Sequence, residues 1–356
     1  MLTIGLFWWY RRDRVLAPEI SVLAPEISVL LPAFDAASTL AAALRSVQRQ
    51  TEQRWECVVV DDGSRDATLE LARTMAREDE RIRVVTMPHA GIVPALRAGL
   101  AECKAPLVAR MDADDLMSCR RLELQRGALA DAPELAAVGC HVRLFPRAGL
   151  REGRLNYERW LSSIRTPESV QREAFVECPV AHPTLMIRRE VLAAFDYRDL
   201  SWPEDYDLVL RLLAAGQRIG VVPKRLLHWR DGEARLSRAS PTYDIAAFVR
   251  CKAEFLGRGF LAHSERYVLW GYGDTGKALA EALAQCGKHP AAILELHPGR
   301  LGQMIRGVRV QRPEALPSLP RLPLVVSVAG LGPRTEIRAA LAKMSFVETR
   351  DYVCAA

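Results

Sequence analysis

Short apolar runs alternate with amphipathic segments along the chain. In the first third of the sequence, the apolar runs with their turns cover residues 26–35, 55–64, 81–86 and 105–109. A helical pattern fills residues 37–50, where Leu40, Leu44 and Val47 fall on one face. Strands that alternate with helices are typical of α/β folds with a mostly parallel sheet, so we predict this class for the first part of the chain.

The same alternation begins again in the last quarter of the chain. Predicted strands occupy residues 267–270, 291–296 and 324–328, and predicted helices occupy residues 277–285 and 335–343. A helical segment from Tyr243 to Leu261 connects the two series. The order of strand, turn and helix in the second series predicts a small Rossmann-like domain.

These patterns divide the chain into four predicted parts. They are an N-terminal extension that we expect to be disordered (1–26), a first α/β domain (27–240), a helical linker (241–262) and a Rossmann-like C-terminal domain (263–356). Near the N-terminus, residues 15–21 are repeated identically as residues 22–28, which indicates a short tandem duplication.

Acidic residues follow the fourth apolar run, where Asp112, Asp114 and Asp115 lie within four positions. Crowded carboxylates repel one another unless a cation lies between them. Mg²⁺ and Mn²⁺ prefer oxygen ligands and are often held by carboxylates together with substrate phosphates. The stretch therefore predicts a site where a divalent metal meets a diphosphate, and the alternative is a solvated acidic turn.

Two further acids, Asp61 and Asp62, end the second apolar run. Ligands of open α/β sheets bind outside the carboxyl ends of the strands, where an acid can accept hydrogen bonds from a base or a ribose. Alternatively, both acids cap the helix that begins near Asp66. In the helix after the third run, Arg97 either contacts a diphosphate with its guanidinium group or lies on the surface.

A later helix opens with Glu204, Asp205 and Asp207 in its first turn. The helix dipole favours acids at this end of a helix, which is the structural explanation. The functional alternative is that Asp205 is a general base directed at an acceptor hydroxyl.

Together, residues 31–35, 60–64, 112–115 and 204–205 resemble the motifs of the family 2 glycosyltransferases, which have the GT-A fold. The resemblance covers residues 27–240. It implies an inverting transfer of a sugar from a nucleotide-diphosphate sugar donor to a hydroxyl acceptor. The implied acceptor is a surface glycan or a lipid-linked oligosaccharide.

The resemblance also implies roles for individual residues. Asp61 would contact the nucleotide base, Asp112 and Asp114 would hold Mn²⁺ or Mg²⁺ near the diphosphate, and Asp205, paired with Glu204, would be the catalytic base. Further substrate contacts are predicted for Pro32, Asp35, Asp62 and Arg97. The chain departs from the family at positions 35 and 97, where family members often have Asn.

Three more candidates lie between these motifs and the linker. His182 lies among small and apolar residues before a predicted strand, and it is either a structural histidine or an acceptor-side contact. After a short apolar strand at residues 226–227, we predict a loop from His228 onward. In the family a loop at this place closes over the diphosphate, so Arg230 and Arg235 are candidate substrate contacts; the alternative is an arginine-rich surface loop.

The second α/β unit carries a glycine motif between its first strand and helix. Gly271, Gly273 and Gly276 form G-x-G-x-x-G, and Glu295 follows about 20 residues later, as in dinucleotide-binding folds. The unit is predicted either to bind a dinucleotide or another nucleotide, with phosphate at the helix N-terminus, or to serve as an interaction module without a ligand.

Two other functions compete with the transferase hypothesis. An NAD(P)-dependent enzyme or nucleotide sensor would act through the C-terminal unit beside a degenerate transferase domain, but the intact Asp112, Asp114 and Asp205 argue against degeneracy. A nucleotidyltransferase would be expected to have a glycine-rich basic loop after the first strand, and residues 31–39 contain none.

Composition adds constraints on partners and location. The net charge is +6, but no basic run or recognition motif predicts nucleic-acid binding. The eight cysteines are scattered without metal-binding spacing, which favours a reducing compartment. No segment is long enough to span a membrane, although the aromatic N-terminus can contact a membrane interface. We expect a cytoplasmic enzyme with possible peripheral contact to the inner membrane face, and the sequence leaves its oligomeric state open.

Overall fold

The computed structural model of the chain describes residues 24–232 and 241–356. The first copy of the N-terminal repeat and the candidate Arg235 lie outside these ranges. Within them, the chain forms one sheet of eight strands and a second sheet of six strands, both flanked by helices. No helix in the described ranges has the length and apolar character needed to cross a membrane.

The first sheet has the order β3-β2-β1-β4-β7-β6-β8-β5. Its strands are Ile27–Ala33 (β1), Trp55–Asp61 (β2), Ile82–Thr86 (β3), Leu107–Arg110 (β4), Leu116–Met117 (β5), Leu135–Phe145 (β6), Met186–Arg188 (β7) and Arg218–Arg230 (β8). Its helices are Leu40–Gln48 (α1), Thr68–Glu78 (α2), Ile92–Glu102 (α3), Arg121–Asp131 (α4), Glu152–Ser163 (α5), Pro167–Glu173 (α6), Arg189–Phe195 (α7) and Glu204–Ala214 (α8).

Parallel pairing brings the functional loops of this sheet together. β1 pairs in parallel with both β2 and β4, and β2 pairs in parallel with β3. Every residue of β1 and β2 is buried, as expected for strands covered by helices on both faces. Since the carboxyl ends of these four strands share one edge, the acids that follow β2 and β4 lie on the same side of the sheet. The predicted α/β class is confirmed.

The second sheet has the order β11-β12-β10-β9-β13-β14. Its strands are Arg266–Trp270 (β9), His289–Leu294 (β10), Met304–Ile305 (β11), Val308–Gln311 (β12), Leu324–Val326 (β13) and Tyr352–Cys354 (β14). The helices of this part of the chain are Ile245–Arg258 (α9), Asp274–Gln285 (α10) and Leu331–Lys343 (α11). β9 lies at the centre and pairs in parallel with β10 and β13, so the glycine motif follows a central strand.

Direct contacts join the two units. The buried Lys252 of α9 donates hydrogen bonds from Nζ to the carbonyl oxygen of Val176 at 3.2 Å and to that of Ala355 at 2.7 Å. Arg338 of α11 pairs with the buried Glu173 at the end of α6 at 2.9 Å. The segment that follows α6 is therefore held in place by the helical connection and the second unit.

The structure corrects one local prediction. The predicted loop from His228 is wrong, because β8 continues to Arg230. The last residues of β8 pair in parallel with the end of β6, His228 with Arg143 and Arg230 with Phe145. Backbone pairing with a distant strand extends β8 beyond its short apolar run.

Candidate active site

A cavity of about 500 Å³ lies beside the loop that follows β4. Asp112, Asp114, His182, Glu204 and Asp205 all line it, although they come from three separate segments of the sequence. The structure thus brings together the acid cluster, the candidate histidine and the acid pair of α8. The cavity has the size typical of small-molecule sites.

The acid cluster follows β4 directly. One carboxylate oxygen from each of Asp112, Asp114 and Asp115 lies within 4.8 Å of the other two. Asp115 is fully buried, and its Oδ1 accepts a hydrogen bond from the backbone N–H of Arg230 at 2.7 Å. Asp115 therefore ties the loop to β8, while Asp112 and Asp114 line the cavity. Carboxylate oxygens at this spacing suit a hard divalent ion such as Mg²⁺ or Mn²⁺.

Arg110 contacts the acid cluster from the end of β4. Its side chain is buried at the end of β4, and Nη2 donates a hydrogen bond to Asp112 Oδ1 at 2.6 Å. Burial alone would lower the pKa of Arg110, but the charge of Asp112 raises it above its usual value. This permanent positive charge stabilises ionised Asp112 and fixes the direction of its carboxylate.

Glu204 begins α8 and is almost completely buried. The hydroxyl of Tyr243 donates to Glu204 Oε2, and His182 Nδ1 lies 3.6 Å from Glu204 Oε1. Burial opposes ionisation of Glu204, but His182 and Tyr243 favour the carboxylate and hold its pKa below the usual range. Glu204 is therefore an ionised residue beside Asp205.

Asp205 shows the opposite shift. Burial and the negative charge of Glu204 raise the pKa of Asp205 to about 6. Its Oδ1 accepts a hydrogen bond from the backbone N–H of Tyr206 at 2.7 Å, which orients the carboxylate at the first turn of α8. A carboxylate whose pKa approaches neutrality is a better proton acceptor than an ordinary Asp, as general-base chemistry requires.

Asp61 and Asp62 lie side by side at the end of β2 but differ in their contacts. Asp61 is buried, and its Oδ1 has no hydrogen-bond partner among the described residues. The carboxylate of Asp62 accepts hydrogen bonds from the backbone N–H groups of Ala90 at 2.8 Å and Gly91 at 2.9 Å, and it also contacts the ring of His89. Asp62 thus holds the loop before α3, whereas Asp61 retains a free acceptor.

An aromatic pair lies next to this loop. The rings of Phe34 and His89 stack with centroids 4.0 Å apart and planes inclined by 20°. Phe34 is 37% exposed, so part of this surface is open to solvent. Asp35 has a φ of 47° and forms a 2.6 Å ion pair with Arg65, and Pro32 is buried inside β1.

The predicted arginine contacts have partners of their own. Arg97 is 48% exposed and pairs with Asp196 at the end of α7 at 3.0 Å. Arg230 donates from Nε to the carbonyl oxygen of Asp114 at 2.7 Å, and its guanidinium lies 4.5 Å from the ring centroid of Phe145. Arg230 therefore buttresses the acid cluster from β8, and Arg235 lies outside the described residues.

Sequence reasoning missed several residues of the cavity wall. These residues are Arg110, Arg154, Tyr157, Glu177, Trp229 and Tyr243. Arg110 could have been noticed, because it directly precedes the acid cluster in sequence. Trp229 lies next to the candidate Arg230 but had no predicted role, and the others come from segments without a recognisable motif. Only the folded chain brings them to the cavity.

The glycine motif of the second sheet adopts the strand–turn–helix arrangement. Gly271 has a φ of 98°, and a Cβ at Gly276 would lie 2.1 Å from the Gly271 carbonyl oxygen, so both positions require glycine. Gly273 is the N-cap of α10. Glu295 accepts hydrogen bonds from the backbone N–H of Tyr272 at 3.0 Å and from Arg300 at 3.1 Å. Its carboxylate holds the glycine loop.

The chain is similar in sequence to known proteins. Residues 28–195 match the model of the family "Glycosyl transferase family 2". EpsE of Bacillus subtilis (strain 168), which is named a glycosyltransferase, is 29% identical over 218 residues, covering 60% of this chain and 75% of EpsE. The amylovoran biosynthesis glycosyltransferase AmsE of Erwinia amylovora is 29% identical over 203 residues, covering 56% of this chain and 73% of AmsE.

A solved structure supports the fold. The crystal structure of S. aureus TarS 1-349 in complex with UDP aligns with a TM-score of 0.52 at 19% sequence identity, covering 72% of this chain and 70% of that chain. This likeness confirms the predicted GT-A fold of the first sheet. The chain carries a glycosyltransferase family 2 domain and is a glycosyltransferase, as the sequence motifs predicted.

Proposed function

We propose that this enzyme transfers a sugar from a nucleotide-diphosphate sugar to a hydroxyl group of a glycan or lipid-linked acceptor during the synthesis of a surface polysaccharide. The name of AmsE, a relative in amylovoran biosynthesis, supports this assignment. We also propose that the reaction takes place in the cytoplasm, at the inner face of the membrane where lipid-linked acceptors are held.

The donor is proposed to lie along the carboxyl edge of the first sheet. The free Oδ1 of Asp61 and the stacked rings of Phe34 and His89 offer an acceptor and a flat surface to a nucleotide base. Asp112 and Asp114 would hold a divalent ion at the diphosphate. When bound, such an ion supplies positive charge that stabilises the departing diphosphate.

Asp205 is proposed to act as the general base. It takes the proton from the acceptor hydroxyl as the hydroxyl oxygen forms a bond to the anomeric carbon. The bond between that carbon and the diphosphate oxygen breaks, and the nucleoside diphosphate leaves with the electron pair. A single displacement of this kind inverts the configuration at the anomeric carbon.

One observation carries this proposal: Asp205, with its pKa raised to about 6, lines the same cavity as Asp112 and Asp114. The ionised Glu204 beside it keeps the affinity of Asp205 for a proton high. Tyr243 and His182 contact the two carboxylate oxygens of Glu204, so they position the acid pair.

A thermal-shift panel tests the donor site. UDP, GDP and TDP are added with and without Mn²⁺ to the wild type and to Asp112→Ala. A ligand that binds only the folded state raises the melting temperature by an amount set by its concentration relative to its Kd. We expect one diphosphate to stabilise the wild type with Mn²⁺ and this shift to vanish in Asp112→Ala. If no diphosphate shifts the wild type in the presence of Mn²⁺, the proposed donor site is wrong.

A nucleotide at the C-terminal domain remains a separate proposal. Gly271, Gly273 and Gly276 support it by their arrangement at the N-terminus of α10, where backbone N–H groups favour phosphate. NAD and NADP are therefore included in the same panel. If they stabilise the wild type and no nucleoside diphosphate does, the alternative function through the C-terminal domain replaces the transferase proposal.

A further inference from the structure

Two aromatic side chains form an aromatic wall in the cavity that Glu204 and Asp205 also line. Tyr157 of α5 and Trp229 of β8 both line the cavity, with ring centroids 6.2 Å apart and planes inclined by 45°. The guanidinium carbon of Arg154 lies 5.4 Å from the ring centroid of Tyr157 and 5.6 Å from that of Trp229. Arg154 is itself held by a 3.1 Å ion pair with Asp231. Arg154 and Asp231 therefore hold the two rings of this aromatic wall in place.

Glu177 lines the same cavity. Within residues 24–232 and 241–356, its carboxylate forms no hydrogen bond and no ion pair. The backbone just before it is fixed, because Lys252 Nζ donates to the carbonyl oxygen of Val176. Burial raises the pKa of Glu177 above its usual range. A partly buried acid without a hydrogen-bond partner is costly for the protein, so a role in binding accounts for its position.

The chemistry of this surface discriminates among acceptor groups. Sugar rings present C–H faces that pack on aromatic rings and hydroxyl groups that donate hydrogen bonds to a carboxylate. A hydrocarbon chain would leave the partly buried Glu177 without a hydrogen-bond partner. A phosphate presents oxygens that accept hydrogen bonds, and a carboxylate has no donor to offer them. The cavity also contains Asp205, to which the reacting hydroxyl must be close.

We propose that Tyr157, Trp229 and Glu177 form the acceptor subsite and that the group bound there is a sugar residue. Tyr157 and Trp229 pack on the face of the ring, and Glu177 accepts hydrogen bonds from its hydroxyls. One hydroxyl of that sugar is thereby directed at Asp205. This inference rests on the proposed transferase function, because it assumes that the donor lies on the side of Asp112 and Asp114.

Saturation-transfer NMR on the full chain tests the inference with defined probes. The probes are the methyl glycosides of glucose, galactose, mannose and N-acetylglucosamine, with glycerol phosphate and a serine-containing peptide as non-sugar acceptors. UDP, GDP or TDP is present with Mg²⁺, as selected by the thermal-shift panel. We expect at least one methyl glycoside to bind the wild type through its ring protons and neither non-sugar probe to bind.

Two variants test whether the glycoside binds at Glu177 and the aromatic wall. Glu177→Gln removes the charge at nearly constant size, and Tyr157→Leu removes the aromatic face. Each is expected to raise the Kd of the glycoside about tenfold, as loss of a hydrogen bond to a charged group or of an aromatic contact does. Glu168→Gln, on the surface of α6, is the matched control and should change the Kd less than about twofold.

The controls separate the possible failures. The nucleotide-induced melting shift of each variant should equal that of the wild type, which shows an intact fold and donor site; if Tyr157→Leu does not fold, Glu177→Gln decides the test. If the nucleotide shifts the wild type but no glycoside binds, or the glycoside binds equally well to Glu177→Gln, the acceptor inference is overturned and the proposed function stands. If no nucleotide shifts the wild type, both are overturned.

Discussion

In both sheets an acid follows a strand, but the two acids differ in whether all of their carboxylate oxygens already have hydrogen-bond partners. In the first sheet, Asp61 follows β2 with a buried oxygen that has no hydrogen-bond partner among the described residues. In the second sheet, Glu295 follows β10 and accepts hydrogen bonds from the backbone N–H groups of Tyr272, Leu296 and His297. Burial opposes the ionisation of Glu295, yet these donors hold its pKa below the usual range. An acid after a strand is available to a ligand only when the local backbone does not already satisfy it.

The same division occurs between neighbouring acids of α8. Asp205 lines the cavity with a pKa raised to about 6. Asp207 is fully buried and bonded to Arg198, Arg211 and Trp202, and these groups outweigh burial and lower its pKa. One acid of this helix thus lines the cavity and the other is held inside the protein, because successive side chains leave the helix in different directions.

The largest effect is expected when each of these two acids is replaced by asparagine. Asp205→Asn should lower kcat about a thousandfold, since a positioned general base contributes in this range. The melting temperature and the nucleotide-induced shift should remain those of the wild type. The measurement is steady-state release of nucleoside diphosphate from the donor selected by the thermal-shift panel.

Asp207→Asn is the matched comparison. It should lower the free energy of unfolding by about 2 kcal/mol, because the fully buried side chain would lose its charged hydrogen bonds to the guanidinium groups of Arg198 and Arg211. If Asp205→Asn retains most of the wild-type kcat, Asp205 is not the general base. A stable Asp207→Asn would show that the two acids do not differ as proposed.

The next effect concerns pH. Asp205 accepts a proton only when it is ionised, and its pKa is raised to about 6. Therefore kcat/KM should be constant above this value and fall about tenfold per pH unit below it. The profile is measured with melting temperatures recorded at each pH, to separate catalysis from unfolding. A profile that stays flat to about pH 5 would contradict the assigned base.

The smallest effect compares the acids that follow β2 and β10. Asp61→Asn replaces one acceptor oxygen of the carboxyl group by an amide nitrogen, which should weaken nucleoside diphosphate binding about fivefold. Glu295→Gln should leave that affinity unchanged and lower the free energy of unfolding by about 1 kcal/mol through weaker bonds to the glycine loop. Calorimetric titration and denaturant unfolding of both variants give the two quantities. Equal changes in affinity would contradict the distinction between the sheets.

Much of the fold was predictable because it depends on patterns that are local in sequence. Apolar runs at the positions of β1, β2 and β9 specify buried strands, and Gly271 and Gly276 specify a tight turn that other residues cannot adopt. The motif of Asp112 and Asp114 also predicted the acid cluster, since both residues follow one strand. The length of β8 was not predictable, because its final residues are stabilised by pairing with β6.

The sequence by itself determined the α/β class, the resemblance to the family 2 glycosyltransferases and the acids that end the strands. Only the tertiary structure decided which of those acids already accept hydrogen bonds from the backbone. Asp62 and Glu295 accept hydrogen bonds from backbone N–H groups of nearby loops. Asp61 has an oxygen without a partner among the described residues, and Asp205 lines the cavity. The tertiary structure also brought Glu177 and Tyr157 into the cavity that Asp205 lines. The physical reason is that a carboxylate's hydrogen bonds and its pKa depend on the groups that surround it in space, and most of those groups are distant in sequence.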